Sequence, residues 1–137
     1  MMYLDTNVII YAIENHPVYG KKCRDVLKDI EDGKLKACSS FLVLIELINV
    51  LARINNLLEK RKLDARKNIE AVTSLPIVWL ELNLLALERA SEYGYKVSGV
   101  DYVHIALMEL NMVPEIISAD RELDKVGIIK RLDPLAY

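Results

Sequence analysis

The sequence predicts a three-layer α/β/α sandwich with a mainly parallel sheet. Short apolar segments that suit buried strands alternate with longer segments of helical periodicity, a pattern typical of βαβ units. The chain has 137 residues, of which 53% are hydrophobic and 28% charged, so it can bury one core and does not resemble a disordered polymer. It contains no repeat or low-complexity tract, and we therefore expect a single domain over residues 1–137.

The first three elements have clear signals at their ends. Residues 1–4 form an apolar run that suits a short buried strand, and a short helix follows over 6–13. That helix stops before Pro17, because proline disfavours helical geometry in the residue that precedes it. A second helix, 18–31, ends close to Gly33, where glycine can adopt the left-handed cap conformation.

The middle of the chain contains the strongest predicted helix. A short strand is expected at 34–38, and Ser39 and Ser40 then offer an N-cap for a helix over 41–58. This helix is apolar on nearly every face, so we expect it to be central. An amphipathic, exposed helix over 60–73 follows.

The second half repeats the alternation of strand and helix. Pro76 separates the preceding helix from a strand, and Gly94 and Pro114 follow the ends of two later helices. The predicted elements in chain order are a strand at 77–80, helices at 83–93 and 99–111, a strand at 115–118, a helical turn at 121–126 and a strand at 128–132.

Four acidic residues lie where neither a core nor a simple surface would place them. Asp5 and Asp120 each follow a predicted strand. Asp101 lies in the first turn of an apolar helix, and Glu46 lies inside the most apolar run of the chain. Three of them have an ordinary alternative as helix caps: Asp5, Asp120, and Asp101, which stands three residues after Ser98 in a capping-box spacing.

Glu46 does not fit a capping role, because it lies in the middle of a helix. An ionised carboxylate in apolar surroundings costs several kcal/mol unless it is paired or binds a metal. The alternatives are a boundary position facing solvent, or a buried partner for a lysine or arginine. Two histidines, His16 and His104, are too few and too far apart in the sequence to suggest a zinc site. We expect His16 to lie in a loop, and His104 to be a core or boundary residue whose ring nitrogens are hydrogen-bonded.

The acids make more sense together than singly. The carboxyl ends of parallel strands meet at one edge of a sheet, so Asp5 and Asp120 are expected in the same crevice. An acid from each of two central helices would complete a ring of carboxylates, which would repel one another without a cation. Oxygen-only ligands suit Mg²⁺ or Mn²⁺, and the usual chemistry of such a site is hydrolysis of a phosphodiester.

The four segments that contain these acids resemble, in order, the four motifs of PIN-domain nucleases. The resembling segments are 4–10, 40–47, 101–106 and 117–123. The resemblance implies an Mg²⁺- or Mn²⁺-dependent ribonuclease with an α/β/α sandwich. It implies that the metal-binding and catalytic acids are Asp5, Glu46, Asp101 and Asp120. Residues that support the first acid would be Thr6, Asn7 and Ser118. Glu122 and Asp124 are candidates for a further acid of the family, although we expect neither to be a direct ligand.

A PIN domain of this size without further domains is most similar to the VapC-type toxins of prokaryotic toxin–antitoxin pairs. That resemblance implies a cytoplasmic endoribonuclease that forms a homodimer and is inhibited by a cognate antitoxin protein. The helices within 18–58 are our candidates for partner contact. The sequence has no secretory signal and no apolar run of about 20 residues, so we expect no membrane association. Cys23 and Cys38 are expected to be reduced.

The charge of the chain bears on the proposed RNA substrate. The formal net charge is −2, which excludes general electrostatic affinity for nucleic acid as the whole explanation of binding. A local basic patch is still possible. The densest basic cluster comprises Lys60, Arg61, Lys62, Arg66 and Lys67. It is either a solvated helix face or a surface that contacts RNA phosphates.

Two other functions fit parts of the sequence. A catalytically inactive PIN-fold module could bind RNA or protein, but an unused ring of carboxylates would only destabilise the native state. A phosphatase of the haloacid-dehalogenase type also begins with an aspartate at a strand end. That chemistry requires a second aspartate two residues later, and this position is Asn7.

Overall fold

The computed structural model describes residues 1–57 and 63–137. The described residues form a five-stranded, wholly parallel sheet in the order β3-β2-β1-β4-β5. The strands are β1 (Met2–Leu4), β2 (Ala37–Ser40), β3 (Ile77–Leu80), β4 (Glu115–Ile117) and β5 (Lys130–Leu132). The helices are α1 (Thr6–Ile13), α2 (Gly20–Glu31), α3 (Phe41–Leu57), α4 (Ala65–Ser74), α5 (Leu84–Ala90) and α6 (Gly99–Leu110). Two 3-10 helices follow at Arg121–Lys125 and Pro134–Ala136. The predicted fold class is confirmed.

The strand order places β1 in the centre of the sheet. The chain proceeds outward from β1 through β2 to β3, and then returns to the other side of β1 as β4 and β5. Tyr3 therefore lies opposite Cys38 on one side and Ile116 on the other. A reversal of this kind leaves a crevice beyond the carboxyl ends of the two strands that flank it, here β1 and β4.

The core surrounds the central strands. Tyr3, Leu4 and Ile117 are fully buried, as expected for strands covered on both faces. Cys23 and Cys38 are buried and unpaired. Trp79 is only half-buried on the edge strand β3. Among the described residues, no helix combines the length and the apolar character needed to cross a membrane.

Several predicted boundaries shift by a few residues. One of these elements is β2, which was expected at 34–38 and is observed at Ala37–Ser40. Ser39 and Ser40, which we expected to cap the helix that follows, belong to this strand. The backbone of Leu4 accepts a hydrogen bond from the Ser39 hydroxyl at 2.9 Å, so this polar side chain is satisfied inside the sheet.

The expectation that the helix 41–58 would be central on all sides is wrong. Along α3, only Val43, Leu47 and Leu51 are buried. On the other side of the helix, large apolar side chains are exposed to solvent: Phe41 (45%), Ile45 (56%) and Ile48 (51%). The helix is apolar all round, but the rest of the chain packs against one side only. We call Phe41, Ile45 and Ile48 the exposed α3 stripe.

Helices α5 and α6 pack together, and an ion pair between Arg89 and Glu109 joins them. The Arg89 guanidinium donates two hydrogen bonds to the Glu109 carboxylate, at 2.9 and 2.7 Å. The Tyr93 hydroxyl donates a third. These bonds, the arginine first and the tyrosine second, lower the pKa of the Glu109 carboxyl from 4.5 to about 2.

The Glu109→Gln variant should therefore be less stable at neutral pH. A carboxyl whose pKa is lowered by folding stabilises the native state above its unfolded pKa, and this stabilisation disappears as the pH falls toward about 2. Because the pair is partly exposed, we expect a loss of only about 3 °C in melting temperature at pH 7. The difference between wild type and variant should shrink between pH 4.5 and pH 3. A constant difference across this range would contradict the assignment.

Candidate active site

Asp5 lies at the carboxyl end of the central strand β1 and is also the N-cap of α1. Its Oδ1 atom accepts the backbone N–H of Thr6 at 2.7 Å. Its Oδ2 atom accepts two further bonds, from the Ser118 hydroxyl at 2.6 Å and from the Asn7 amide at 3.0 Å. Both oxygens are therefore held in fixed positions by the chain itself.

Asn7 and Ser118 join the ends of β1 and β4. The Asn7 Nδ2 group donates to Ser118 Oγ at 3.0 Å, while Asn7 Oδ1 accepts the backbone N–H of Ala119 at 3.1 Å. Ser118 Oγ also accepts the backbone N–H of Asp120 at 3.0 Å. The serine hydroxyl thus donates one bond and accepts two, which uses its full capacity. This network fixes the segment that carries Asp120 relative to Asp5.

Glu46 points toward Asp5 rather than away from the molecule. Its Oε1 atom accepts a hydrogen bond from the Thr6 hydroxyl at 3.1 Å. Thr6 therefore contacts both acids, through its backbone to Asp5 and through its side chain to Glu46. About a third of the Glu46 side chain remains accessible to solvent. Among the described residues no lysine or arginine pairs with it, so the alternative of a basic side-chain partner is not met there.

The partner of Glu46 is His104, which sequence reasoning did not connect with the site. His104 Nε2 lies 2.5 Å from Glu46 Oε1, and Nδ1 lies 2.7 Å from the Tyr3 hydroxyl. The Tyr3 hydroxyl also donates to Ser40 Oγ at 2.8 Å. A signal was present: His104 stands three residues after Asp101 on one helix, and Tyr3 shares a strand face with Asp5. His104 is indeed satisfied and buried, as predicted.

Asp120 fulfils the capping role considered above, whereas Asp101 is hydrogen-bonded to the N-cap residue of its helix, Ser98. The Asp101 carboxylate accepts the Ser98 hydroxyl at 2.9 Å, and Ser98 caps α6. Asp120 caps the 3-10 helix at Arg121–Lys125 by accepting the backbone N–H of Glu122 at 2.9 Å. Neither carboxylate is hydrogen-bonded to Asp5 or Glu46 in the structure. These hydrogen bonds leave part of each carboxylate free, so they are compatible with a second role.

The electrostatics show that the acids influence one another. Burial raises the pKa of Asp5, and the charge of Glu46 raises it further, against the opposing effects of His104 and the hydrogen bonds of Ser118 and Thr6. Burial also raises the pKa of Asp101, and the charge of Asp120 adds to this effect. The negative charges of these acids therefore lie close enough to raise the pKa values of Asp5 and Asp101, which lowers the stability of the folded state when they are ionised.

His104 partly compensates that charge. Burial alone lowers its pKa, but the hydrogen bond to Glu46 and the charges of Asp5, Glu46 and Asp101 outweigh burial, so the net pKa is raised. Sequence reasoning overlooked this histidine as a group that interacts electrostatically with Asp5, Glu46 and Asp101.

The described residues do not form a compact metal-binding cluster. In residues 1–57 and 63–137, no group of three or more histidine, cysteine, aspartate or glutamate side chains is close enough to hold an ion. The chemistry of the donors nevertheless fits a hard divalent cation, because the four acids offer only oxygen. The half-buried, fixed Asp5 carboxylate, whose pKa is raised mainly by desolvation, is a group that a nearby cation would stabilise in its charged form.

Two further acids predicted not to be ligands have basic partners instead. Asp124 accepts two hydrogen bonds from the Arg131 guanidinium, at 2.8 and 3.0 Å, and Glu122 pairs with Lys125. Arg131 also donates to the backbone carbonyl of Ser118 at 2.8 Å. It therefore supports the strand end that carries the Ser118 network.

The predicted basic cluster is only partly described. Lys60, Arg61 and Lys62 lie outside the described residues. Arg66 is highly exposed and forms an ion pair with Glu70 at 2.9 Å, one turn along α4. Lys67 is exposed on the same helix.

The wholly parallel sheet, with its reversal of strand order at β1 and β4, defines an α/β protein. Asp5 directly follows β1, and Asp120 follows β4. The model of the PIN domain family matches residues 2–129 of the chain. The chain therefore belongs to the PIN-domain family, as its four motifs predicted.

Solved structures show the same fold at low sequence identity. The chain is similar to one in a toxin–antitoxin complex from Klebsiella pneumoniae, with a TM-score of 0.69 and 13% identity over 98% of each chain. VapBC2 from Rickettsia felis bound to a promoter DNA fragment gives 0.71 and 16%, covering 96% of this chain and 98% of that one. DNA-bound VapBC from Salmonella typhimurium gives 0.65 and 19%, covering 98% and 99%. No curated protein sequence matches the chain.

Proposed function

We propose that the protein is a metal-dependent endoribonuclease, formed by one domain over residues 1–137, and that Asp5, Glu46, Asp101 and Asp120 form its active site. The observation that carries this proposal is the position of Asp5. Its half-buried carboxylate directly follows the central strand and is connected through Thr6 to Glu46, and through Ser118 to the segment of Asp120. Membership of the PIN family supports the same assignment.

In this proposal, one or two Mg²⁺ or Mn²⁺ ions would be held by the four acids. When bound, such an ion supplies a reactive water for attack on a phosphodiester and stabilises charge on the leaving oxygen. The chain's own contribution is to hold the acids. Thr6, Asn7 and Ser118 fix the orientation of the Asp5 carboxylate, so that its oxygens need not reorganise during the reaction. No serine, cysteine or histidine nucleophile is required.

We further propose that the protein acts as the toxin of a toxin–antitoxin pair in the cytoplasm. The solved relatives named above occur in complexes with antitoxins, two of them bound to DNA. A groove of about 350 Å³ between α1, α2 and α4, with Ile13, Leu27 and Leu75 in its wall, offers an apolar surface for an antitoxin segment. It includes one of the helices that we proposed for partner contact.

A direct assay tests the proposed activity. The purified full-length chain should cleave RNA when Mg²⁺ or Mn²⁺ is added, and should stop cleaving it when EDTA removes the ions. Cleavage that continues in metal-free buffer would contradict the mechanism. Stable RNA binding without cleavage, in the presence of Mn²⁺, would instead favour the inactive binding module.

The exposed α3 stripe is the surface that we assign to homodimer formation. Three large side chains aligned on one side of a helix form an apolar patch that soluble monomers seldom expose. The Ile45→Lys variant should therefore elute as a monomer in size-exclusion chromatography with light scattering, whereas the wild type elutes as a dimer. Leu57→Lys is a matched control, since Leu57 is 79% exposed on the other side of the same helix. Equal oligomeric states for both variants would reject this surface.

A further inference from the structure

We propose that His104 is a positioning residue that holds the Glu46 carboxylate in place, and that Tyr3 holds His104. This inference rests on the proposed function, because Glu46 is assigned to the active site there. His104 lies inside the segment 101–106 that resembles the third PIN motif, and Tyr3 directly precedes the first segment, 4–10. The resemblance assigned no role to either residue, and their connection to Glu46 is visible only in the three-dimensional structure.

The first step is the contact between His104 and Glu46. His104 Nε2 lies 2.5 Å from Glu46 Oε1. An ionised carboxylate can only accept hydrogen bonds, so Nε2 must carry the proton whether the ring is neutral or charged. The same Oε1 atom accepts the Thr6 hydroxyl at 3.1 Å. One oxygen of Glu46 is thus fully used by the protein, which leaves Oε2 as the oxygen available to a cation.

The second step is the support of the histidine ring. His104 Nδ1 lies 2.7 Å from the Tyr3 hydroxyl, which is also within 2.8 Å of Ser40 Oγ. The two aromatic rings meet edge to face, with centroids 5.7 Å apart. Tyr3 is fully buried and His104 is 3% exposed, so neither side chain has water as an alternative partner. The ring orientation is therefore determined by the core of the protein.

The third step is the consequence for the site. About a third of the Glu46 side chain is exposed, and a glutamate with three rotatable bonds would otherwise sample several rotamers. Buried partners that orient ligating carboxylates typically change metal affinity or activity 10- to 100-fold when they are removed. Tyr3, Ser40, His104 and Glu46 form a chain of this kind that runs from the core to the crevice.

The test measures Mn²⁺ affinity of the full-length protein without RNA, together with cleavage rates. His104→Leu keeps the apolar volume but removes both ring nitrogens, and should weaken Mn²⁺ binding about 10- to 100-fold. It should also lower kcat more than it changes KM. His104→Gln restores an N–H group within reach of Glu46 and should recover much of the affinity. Tyr3→Phe keeps the ring packing and should cause a smaller loss than His104→Leu.

Ile105→Val is the matched control for packing. Ile105 follows His104 on α6, is 1% exposed and has a wholly apolar side chain, so this variant should lower the melting temperature without changing Mn²⁺ affinity. If His104→Leu loses stability in the same way but binds Mn²⁺ as the wild type does, His104 is merely structural and the inference is overturned.

A double-mutant cycle separates this inference from the proposed function. In metal-free protein, the losses in melting temperature of His104→Leu and Glu46→Ala should not add, because the two side chains contact each other directly. If the wild type neither binds Mn²⁺ nor cleaves RNA, the proposed function fails, and the cycle alone decides whether His104 holds Glu46. Additive losses would overturn the inference whatever the metal data show.

Discussion

The Asp5→Asn variant is expected to retain its fold and to lose cleavage by more than about 100-fold, which is the upper end of the loss for removing an outer partner of a metal ligand. Asn has the same shape as Asp but carries no charge. One of its two terminal atoms becomes an N–H donor, and each carboxylate oxygen of Asp5 faces donors, from Thr6 on one side and from Asn7 and Ser118 on the other. Every orientation of the amide therefore loses at least one bond.

The stability of this variant should change little, for a physical reason that can be checked. Burial raises the pKa of Asp5, so the charge itself destabilises the folded state at neutral pH. The free energy gained by removing the charge offsets the free energy lost with the hydrogen bonds that the amide cannot form. We therefore expect a melting temperature within a few degrees of the wild type, measured alongside the rate of RNA cleavage.

Asp64→Asn provides the matched control. Asp64 is exposed and caps α4 by accepting the backbone N–H of Lys67 at 3.0 Å. It therefore shares with Asp5 both the residue type and the capping role. Asparagine caps helices as well as aspartate does, so this variant should cleave RNA at the wild-type rate. If Asp5→Asn cleaves as fast as Asp64→Asn, the central carboxylate has no part in the reaction.

The fold was predictable because its signals are local. The order of strands and helices follows from runs of apolar residues and from prolines, glycines and capping residues at their ends, and these act within a few positions. The position of Asp5 directly after β1 follows in the same way. The shift of β2 was not predictable, because Ser39 and Ser40 fit a buried strand only when Leu4 and Tyr3 are present as their partners.

The contacts of Glu46 could not be predicted from its neighbours in the sequence. The residue is 58 positions from His104 and 40 from Thr6, and nothing local specifies either pairing. The sequence indicated that an acid in an apolar helix needs a partner, but not which one. The exposed α3 stripe has a similar cause. An apolar pattern indicates that a surface is more stable when it is buried. It does not indicate whether the surface is buried by the same chain or by another one.

The Asp101→Asn substitution should change the melting temperature in opposite directions with and without Mn²⁺, and this is the second large effect that we expect. A ligand that binds only the folded state at 100 times its dissociation constant stabilises that state by about 2.7 kcal/mol. For a chain of this length, that corresponds to a rise of about 9 °C in melting temperature. Asp101→Asn should at least halve the rise at the same Mn²⁺ concentration, since a tenfold loss of affinity removes about 1.4 kcal/mol.

Without metal, the same substitution should have the opposite sign. Burial, reinforced by the charge of Asp120, raises the pKa of Asp101, and an acid whose pKa is raised by folding destabilises the native state at pH values above both its pKa values. Asp101→Asn removes that charge, and its amide oxygen can still accept the Ser98 hydroxyl. The metal-free variant should therefore melt slightly above the metal-free wild type at pH 7, and below it once Mn²⁺ is added.

This reversal distinguishes a metal site from a general effect of negative charge. Glu88→Gln removes one exposed negative charge from α5, the helix that packs against α6. If Mn²⁺ only screened the acidity of this part of the molecule, Glu88→Gln and Asp101→Asn would reduce the Mn²⁺-induced rise equally. A site at the crevice requires that only Asp101→Asn reduce it. Differential scanning fluorimetry of the three proteins, with and without Mn²⁺ at pH 7, measures all six melting temperatures under one set of conditions.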